Sequence, residues 1–197
     1  DNGVHKDMKT INYVGDFAKV TFHHSLSSQT IPGQCVKVDG KWFAVMDQRD
    51  DEFDVLVRKD SSLLKSDKHI IEGPLGRGFG NLDCKNAILV AGGTGIGVMT
   101  YLLKYRTMLG LESYVVHFAR SALSVIDVTS YDSCKEYVFW NTVSNGGRPD
   151  TPIKPLEEKY GTFTSYFDPT ETQVFVSGPS SLVEACRSLD YMCNTNF

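Results

Sequence analysis

The chain has 197 residues, 41% hydrophobic and 22% charged, the balance of a soluble globular protein able to bury one large core or two small ones. A formal charge of -4 without any run of Lys or Arg excludes general attraction to nucleic acid or to an anionic membrane surface. No apolar stretch approaches the roughly 20 residues of a membrane span. The expectation is a soluble chain, cytoplasmic by default, with neither nucleic acid nor membrane as partner.

From Ile11 to Ile71 short β-type runs alternate with turn residues: "INYV", "AKVTFHH", "QCVKV", "KWFAVM", "EFDVLVR" and "HIIE". "PGQ" at 32–34 and "DQRDDE" at 47–52 carry turn chemistry. In the fifth run Phe53, Val55 and Val57 should face a core while Asp54, Leu56 and Arg58 face an at least partly wet side. This is the pattern of a small antiparallel β barrel. His23 and His24 are neighbours on a strand by this reading, pointing to opposite faces, so they would not share a metal.

After Cys84 the pattern changes to strands alternating with helical periodicity, the signature of a parallel sheet covered by helices. "NAILVA" reads as a buried strand. Val98, Tyr101, Leu102, Tyr105 and Leu109 then recur at helical spacing, and Gly110 stands where a C-terminal cap glycine belongs. "SYVVHFA", "EYVFWNTV" and "TQVFVSG" read as further strands. A last helix follows over "PSSLVEACRSL", with Ser181 and Glu184 at capping-box spacing and Leu182, Val183, Cys186 and Leu189 as its apolar stripe. The expected division is an antiparallel barrel over 1–82 and an α/β nucleotide-binding domain over 83–197.

The chemistry concentrates in "AILVAGGTGIGVMTYLL", residues 87–103. A strand turning through glycines directly into a helix makes an anion site, because the first helical N–H groups lack intrahelical partners and the macrodipole turns its positive end toward the bend. Gly92, Gly93, Gly95 and Gly97 would let a diphosphate approach the main chain, or would only permit close packing of helix on sheet. A second glycine at a strand end, in "VFVSGPSS", favours the ligand, since in open parallel sheets ligands collect beyond the carboxyl ends of adjacent strands. The full G-x-G-x-x-G is absent, and no acidic residue ends the next strand, where His117 and Arg120 stand instead. No Lys-Ser or Lys-Thr follows the glycines, which leaves a P-loop nucleotidase poorly supported. The five cysteines, Cys35, Cys84, Cys134, Cys186 and Cys193, are odd in number and widely spaced, and read as reduced thiols with no metal site.

The order of these segments resembles the ferredoxin-NADP reductase superfamily, a flavin-binding β barrel followed by a nicotinamide nucleotide domain, over nearly the whole chain. "IPGQCVKV" resembles its strand leading to the flavin, "AGGTGIGVM" its G-G-T-G-I-x-P-M loop, and "VFVSGPSSL" its C-G-P segment. "EGPLGRGFG", with Gly76, Gly78 and Phe79, resembles the segment closing the barrel and points to the group that includes the electron-transfer subunit of dihydroorotate dehydrogenase. The resemblance implies FAD (or FMN) and NAD(P)H as cofactors. Gly92, Gly93, Thr94, Gly95 and Ile96 would face the diphosphate, Arg120 the adenosine, and Gly178 and Pro179 the nicotinamide half, with Ser177 orienting the reacting ring. The family's R-x-[YF]-[ST] flavin motif falls on Lys41, Trp42, Phe43 and Ala44, and its second flavin segment on Ser61 and Ser62. Only Cys186 and Cys193 lie near the end of the sequence, short of the four thiolates of the subgroup's two-iron cluster, so no iron-sulfur cluster is expected. The implied activity is hydride transfer from NAD(P)H to flavin, with a protein electron acceptor as a further partner left unassigned. Because Ala44 lacks the motif's hydroxyl, the alternative is a flavin-less nucleotide- or partner-binding protein on the same scaffold.

Overall fold

The structure is a computed structural model that describes residues 9–161 and 167–197 and the backbone of residues 3–6. Its first half is built from β1 (Gly3–Lys6), β2 (Lys9–Val14), β3 (Phe17–Phe22), β4 (Cys35–Val38), β5 (Lys41–Ala44), β6 (Asp47–Arg49), β7 (Glu52–Arg58) and β8 (Lys68–Leu75). These form two antiparallel four-stranded sheets, ordered β1-β8-β4-β5 and β2-β3-β7-β6. Alternate side chains from both sheets, among them Val20, Phe22, Val36, Val38, Phe53, Val55 and Ile71, meet in one core with Phe22 stacked on Phe53. The result is the expected barrel.

Three details of the barrel differ from the sequence reading. Residues 47–49 form β6 rather than a turn, because Arg49 is held by Asp47, Glu52 and Asp54 beside β7. Strand β3 stops at Phe22, so His23 and His24 lie beyond it; His23 pairs with Glu52 at 2.9 Å. On the outward face of β7, Asp54 and Leu56 are buried and only Arg58 is exposed. That face is covered by a helix of the second half, where Leu56 packs on Gly97.

The second half runs β9 (Asn86–Gly92), a single 3-10 turn over Gly93–Gly95, α1 (Ile96–Met108), β10 (Glu112–Ala119), β11 (Cys134–Asn141), α2 (Lys154–Tyr160), β12 (Thr172–Ser177), α3 (Ser180–Arg187) and β13 (Met192–Thr195). All five strands are parallel, in the order β11-β10-β9-β12-β13. Helix α1 covers one face over Leu89, Val115 and Phe175; α2 and α3 cover the other over Val90, Val116 and Val176. Buried on both faces, β9 and β10 are nearly continuous runs of apolar residues. Gly110, at φ +69°, ends α1 as expected, its N–H bonding the Thr107 carbonyl while the Leu111 N–H bonds that of Arg106. The capping box of α3 does not form. Pro179 occupies the cap position with no side-chain bond, and Glu184 pairs with Arg187 at 2.7 Å.

The barrel and the parallel sheet are joined through α1. Tyr101 reaches into the barrel core, its hydroxyl bonded to the Thr30 side chain at 2.7 Å and carbonyl at 3.0 Å, and the Lys104 ammonium pairs with Asp47 at 2.9 Å. Arg106, fully buried, donates to the carbonyls of Leu82, Cys84, Lys85 and Glu112 and to the Ser113 hydroxyl, tying the start of β9 to that of β10. All five cysteines are free thiols. Among the described residues no group of His, Cys, Asp or Glu is placed to hold a metal ion, and no helix is long and apolar enough to cross a membrane.

Candidate functional site

Sequence order reverses at β9, which has β10 on one side and β12 on the other. A crevice opens beyond the carboxyl ends of such strands. The two glycine bends sit there side by side: Ser177 is level with Ala91, and a Cβ on Gly178 would lie 3.1 Å from the Gly92 Cα.

Close packing accounts for three of the four loop glycines. A Cβ on Gly95 would stand 2.1 Å from the Ser177 carbonyl oxygen, one on Gly92 2.8 Å from Pro179 Cδ, and one on Gly97 2.9 Å from Leu56 Cβ. Gly93 is different. It adopts φ +55°, and a Cβ there would meet nothing within 4 Å. The strands and the barrel thus exclude side chains at Gly92, Gly95 and Gly97, whereas Gly93 leaves main chain open toward the crevice.

Behind Gly93 stands His117, buried on β10. Its Nε2 lies 2.9 Å from the Gly93 carbonyl oxygen and its Nδ1 2.9 Å from the Tyr137 hydroxyl. A carbonyl only accepts, so Nε2–H donates to it and Nδ1 accepts from Tyr137, which defines a neutral ring. Burial pushes the imidazole down to about 4, against the opposing pull of the Gly93 carbonyl, and keeps it neutral. Since C=O and N–H of a trans peptide point oppositely, a Gly93 carbonyl held toward the sheet turns the Thr94 N–H outward. The Ile96 N–H that opens α1 is spent on the Gly93 and Thr94 carbonyls, so the donors at the bend are those of the Gly93–Gly95 turn before the helix.

The crevice is continuous with the groove between sheet and barrel, a cleft of about 1130 Å³. That exceeds the roughly 300–1,000 Å³ of ordinary small-molecule pockets. Of the predicted residues, Trp42, Phe43 and Ala44 line its barrel wall; Gly92, Gly93, Thr94 and Gly95 its floor; Ser177, Gly178 and Pro179 one side; and Arg120 the far end. These come from separated stretches of the chain and meet in one space.

The other predicted residues lie outside that lining. Ile96 is fully buried in the core under α1, and Phe79 is buried edge-on against Phe175 of β12. Gly76 and Gly78 run along the 31–34 loop, where Gln34 bonds the Gly76 carbonyl at 2.8 Å and a Cβ on Gly78 would lie 2.8 Å from Ile31. Ser61 caps a 3-10 turn by accepting from the Leu63 N–H. Lys41 and Ser62 are brought together, the ammonium donating to the hydroxyl at 3.1 Å, at the end of β5 away from the cleft lining.

Sequence reasoning did not find several lining residues. Arg58 and Lys59 follow β7; Arg148 follows β11 and donates to the Ser181 hydroxyl at 2.7 Å; Asp16 accepts from Ser124 at 3.1 Å; and Phe197 lies against the cleft with 73% of its surface exposed. The signal for Arg148 was present: "NGGR" follows a parallel strand, at the sheet end where ligands collect.

No family model matches the chain, and no curated protein matches it by sequence. Its fold is shared with solved structures. Full-length CYP116B46 from Tepidiphilus thermophilus matches with TM-score 0.68 and 16% identity over 98% of this chain and 28% of its own. An NADH-dependent reduced ferredoxin-NADP oxidoreductase, described for flavin-based electron bifurcation, matches with TM-score 0.71 and 19% identity over 97% of this chain and 75% of its own. The cytochrome b5 reductase domain of Ulva prolifera nitrate reductase matches with TM-score 0.69 and 15% identity over 98% and 97%. The chain therefore spans 28% of the first protein and nearly all of the third. At such identities the likeness is one of fold: a barrel of antiparallel strands joined to a five-stranded parallel sheet.

Proposed function

We propose that the chain is a flavin-dependent NAD(P)H oxidoreductase of the ferredoxin-NADP reductase type, passing hydride from a nicotinamide nucleotide to a flavin seated on the barrel, with a protein electron acceptor beyond it. The division between the barrel and the nucleotide-binding half is taken at residues 82 and 83. The observation that carries the reading is the single cleft in which the open main chain at Gly93, the Ser177–Pro179 bend and the aromatic barrel strand β5 face one another. Two fold neighbours add support: the NADH-dependent reduced ferredoxin-NADP oxidoreductase described for flavin-based electron bifurcation, and the cytochrome b5 reductase domain of Ulva prolifera nitrate reductase.

The residues on the barrel wall fit a flavin. Trp42 and Phe43 offer aromatic surface, Arg58 and Lys59 offer charge to a phosphate, and Ala44 leaves room beside them. A bound flavin supplies the hydride acceptor. The chain's own part is positioning. The Thr94 amide and the Gly93–Gly95 turn before α1 receive the diphosphate, His117 keeps the Gly93 carbonyl turned inward, and the Ser177 hydroxyl orients the nicotinamide amide. No general base is needed, because the reaction moves a hydride and no proton must be drawn from the substrate.

A second reading, a nucleotide- or partner-binding protein without flavin, is favoured by one observation: Lys41 and Ser62 satisfy each other, and Ala44 offers no hydroxyl. Titration with FAD and FMN, followed by anaerobic mixing of the loaded protein with NADH or NADPH, separates the two. Loss of the flavin's visible absorbance within the mixing experiment is expected. A protein that binds nucleotide but neither flavin belongs to the second reading.

A further inference from the structure

We infer that Tyr137 is a positioning residue for the nucleotide: acting through His117, it holds the Gly93–Thr94 peptide with its N–H, rather than its carbonyl, toward the cleft; this rests on the nucleotide reading above. Gly93 stands at φ +55° with open space where a Cβ would be, and glycine adopts either sign of φ, so this peptide unit has room to turn over. Its carbonyl accepts from the Ile96 N–H and from His117 Nε2–H. The Ile96 N–H also reaches the Thr94 carbonyl, and would keep a partner if the Gly93 carbonyl left. His117 is therefore the group that decides between the two orientations.

What decides His117 is the phenol behind it. The Tyr137 hydroxyl lies 2.9 Å from Nδ1, and among the described residues that nitrogen is the one acceptor within its reach. Burial pushes the phenol up to about 12, against the opposing pull of the Ile126 N–H on its oxygen, so the hydroxyl keeps its proton. That proton goes forward to Nδ1, which leaves Nε2 to carry the hydrogen of the ring and donate it to Gly93. The reverse polarity, with the Thr94 N–H donating to Nε2 and Nδ1–H to the phenol oxygen, leaves the phenol proton without its acceptor and turns the Gly93 carbonyl into the cleft. His117 is fully buried with Phe139 edge-on against it at 5.4 Å, shut off from bulk water that could replace either partner. The relay thus runs one way. The Ile126 end is also anchored: two and three residues before it, Ser124 donates to Asp16 at 3.1 Å and the Leu123 carbonyl accepts from the Asp16 N–H at 3.1 Å, which pins this loop to the barrel. Without the phenol neither polarity has a partner at Nδ1, and the two peptide orientations become comparable.

The test compares the full chain with Tyr137→Phe by nitrogen-15 NMR of the His117 ring and by calorimetric titration with NADH and with ADP-ribose, which carries the diphosphate but no nicotinamide. The unsubstituted chain should show the Nε2–H tautomer, and Tyr137→Phe a mixture with the Nδ1–H form. Both ligands should bind the variant about tenfold more weakly, the value of one charge-assisted hydrogen bond. An Nδ1–H tautomer in the unsubstituted chain overturns the inference whether or not the variant folds. A variant that melts at lower temperature yet binds both ligands as before also overturns it, since a merely structural tyrosine would behave so. A loss of affinity with the tautomer unchanged, or one confined to NADH, places the effect elsewhere than the diphosphate donors and overturns it too. In each of these cases the unsubstituted chain still binds and the nucleotide reading stands. Binding of neither ligand by the unsubstituted chain overturns the nucleotide reading itself, and this inference with it.

Discussion

Gly93 and Gly95 make the same motif for different reasons, and a pair of alanine substitutions separates them. In Gly95→Ala the new Cβ would stand 2.1 Å from the Ser177 carbonyl oxygen and 2.8 Å from its carbon, both backbone atoms of the bend after β12. The backbone at Gly95 is ordinary right-handed helix, φ -57° and ψ -18°, so alanine is conformationally favoured and the whole cost is steric. Parting β9 from β12 at this level disturbs the ladder that sets Ser177 beside Ala91. Overpacking costs about 1–3 kcal/mol, and because backbone must move the upper end applies, less the roughly 1 kcal/mol that alanine gains in helix. A net loss of about 2 kcal/mol lowers the melting temperature by about 4–8 °C for a chain of this size.

Gly93→Ala should behave oppositely. Its Cβ meets nothing within 4 Å, and only the left-handed φ of +55° opposes it, at about 1–2 kcal/mol. The methyl group, however, projects where the diphosphate is proposed to lie. Nucleotide affinity should fall by about tenfold or more, as a displaced set of charge-assisted bonds requires. Thermal melting followed by circular dichroism, and calorimetric titration with NADPH, read the two effects. If Gly95→Ala melts with the unsubstituted protein, the argument that β12 excludes a side chain is wrong. If Gly93→Ala binds nucleotide unchanged, the open face at Gly93 is not the binding surface.

Three further outcomes follow from single residues. His117 titrates at about 4 in the folded chain against its ordinary 6.5, so between these values the unfolded chain binds a proton that the folded one does not. Its effect on stability is therefore absent above pH about 6.5, and it destabilises progressively as the pH falls to about 4, by up to about 3 kcal/mol. His117→Gln, which keeps a donor without a titrating ring, should flatten the loss measured by urea unfolding at pH 7.5 and pH 5; an unchanged slope would contradict the assignment. Arg106→Lys should cost about 3 kcal/mol despite keeping the charge, because an ammonium cannot serve carbonyls on two sides as the guanidinium does; a melting temperature within a degree or two of the unsubstituted value would refute this. Tyr101→Phe should lose about 1–2 kcal/mol from the two bonds to Thr30, seen as a lower urea midpoint, and equal midpoints would show that this contact carries no stability.

The architecture was legible because its elements are buried in regular ways. Strands β9 and β10 are apolar runs enclosed by helices, and β3 and β7 alternate across a core. What escaped is what tertiary contact alone creates. β13 is the polar segment "MCNT", made a strand by pairing with β12 and by Asn194 bonding Gln173 and the Val174 carbonyl. The face of β7 expected to be at least partly wet keeps only Arg58 exposed, because α1 lies on Leu56, a fact carried by Gly97 and invisible in the alternation. The glycine loop was legible as a bend but ambiguous as to cause, since a Cβ is excluded equally by a neighbouring strand and by a ligand. Lining residues such as Arg58 and Lys59 were missed because the cleft gathers them from distant loop ends, each unremarked in its own window.

Helix α1 connects these observations. It starts directly from the Gly93–Gly95 bend, its first turn carries Gly97 and its second and third carry Tyr101 and Lys104 onto the barrel, and its end carries Arg106 into the sheet. One rigid element therefore fixes the distance between the diphosphate position and the barrel wall. Hydride transfer is steeply sensitive to the separation of donor and acceptor. If the proposed chemistry holds, loosening the contacts of α1 with the barrel should slow transfer more than it weakens nucleotide binding, because the amides that bind precede the helix while Tyr101 and Lys104, which set the distance, lie in its later turns. Tyr101→Phe offers that comparison: a transfer rate that falls by a larger factor than NADPH affinity supports the helix as a spacer, and equal falls would assign Tyr101 to stability alone.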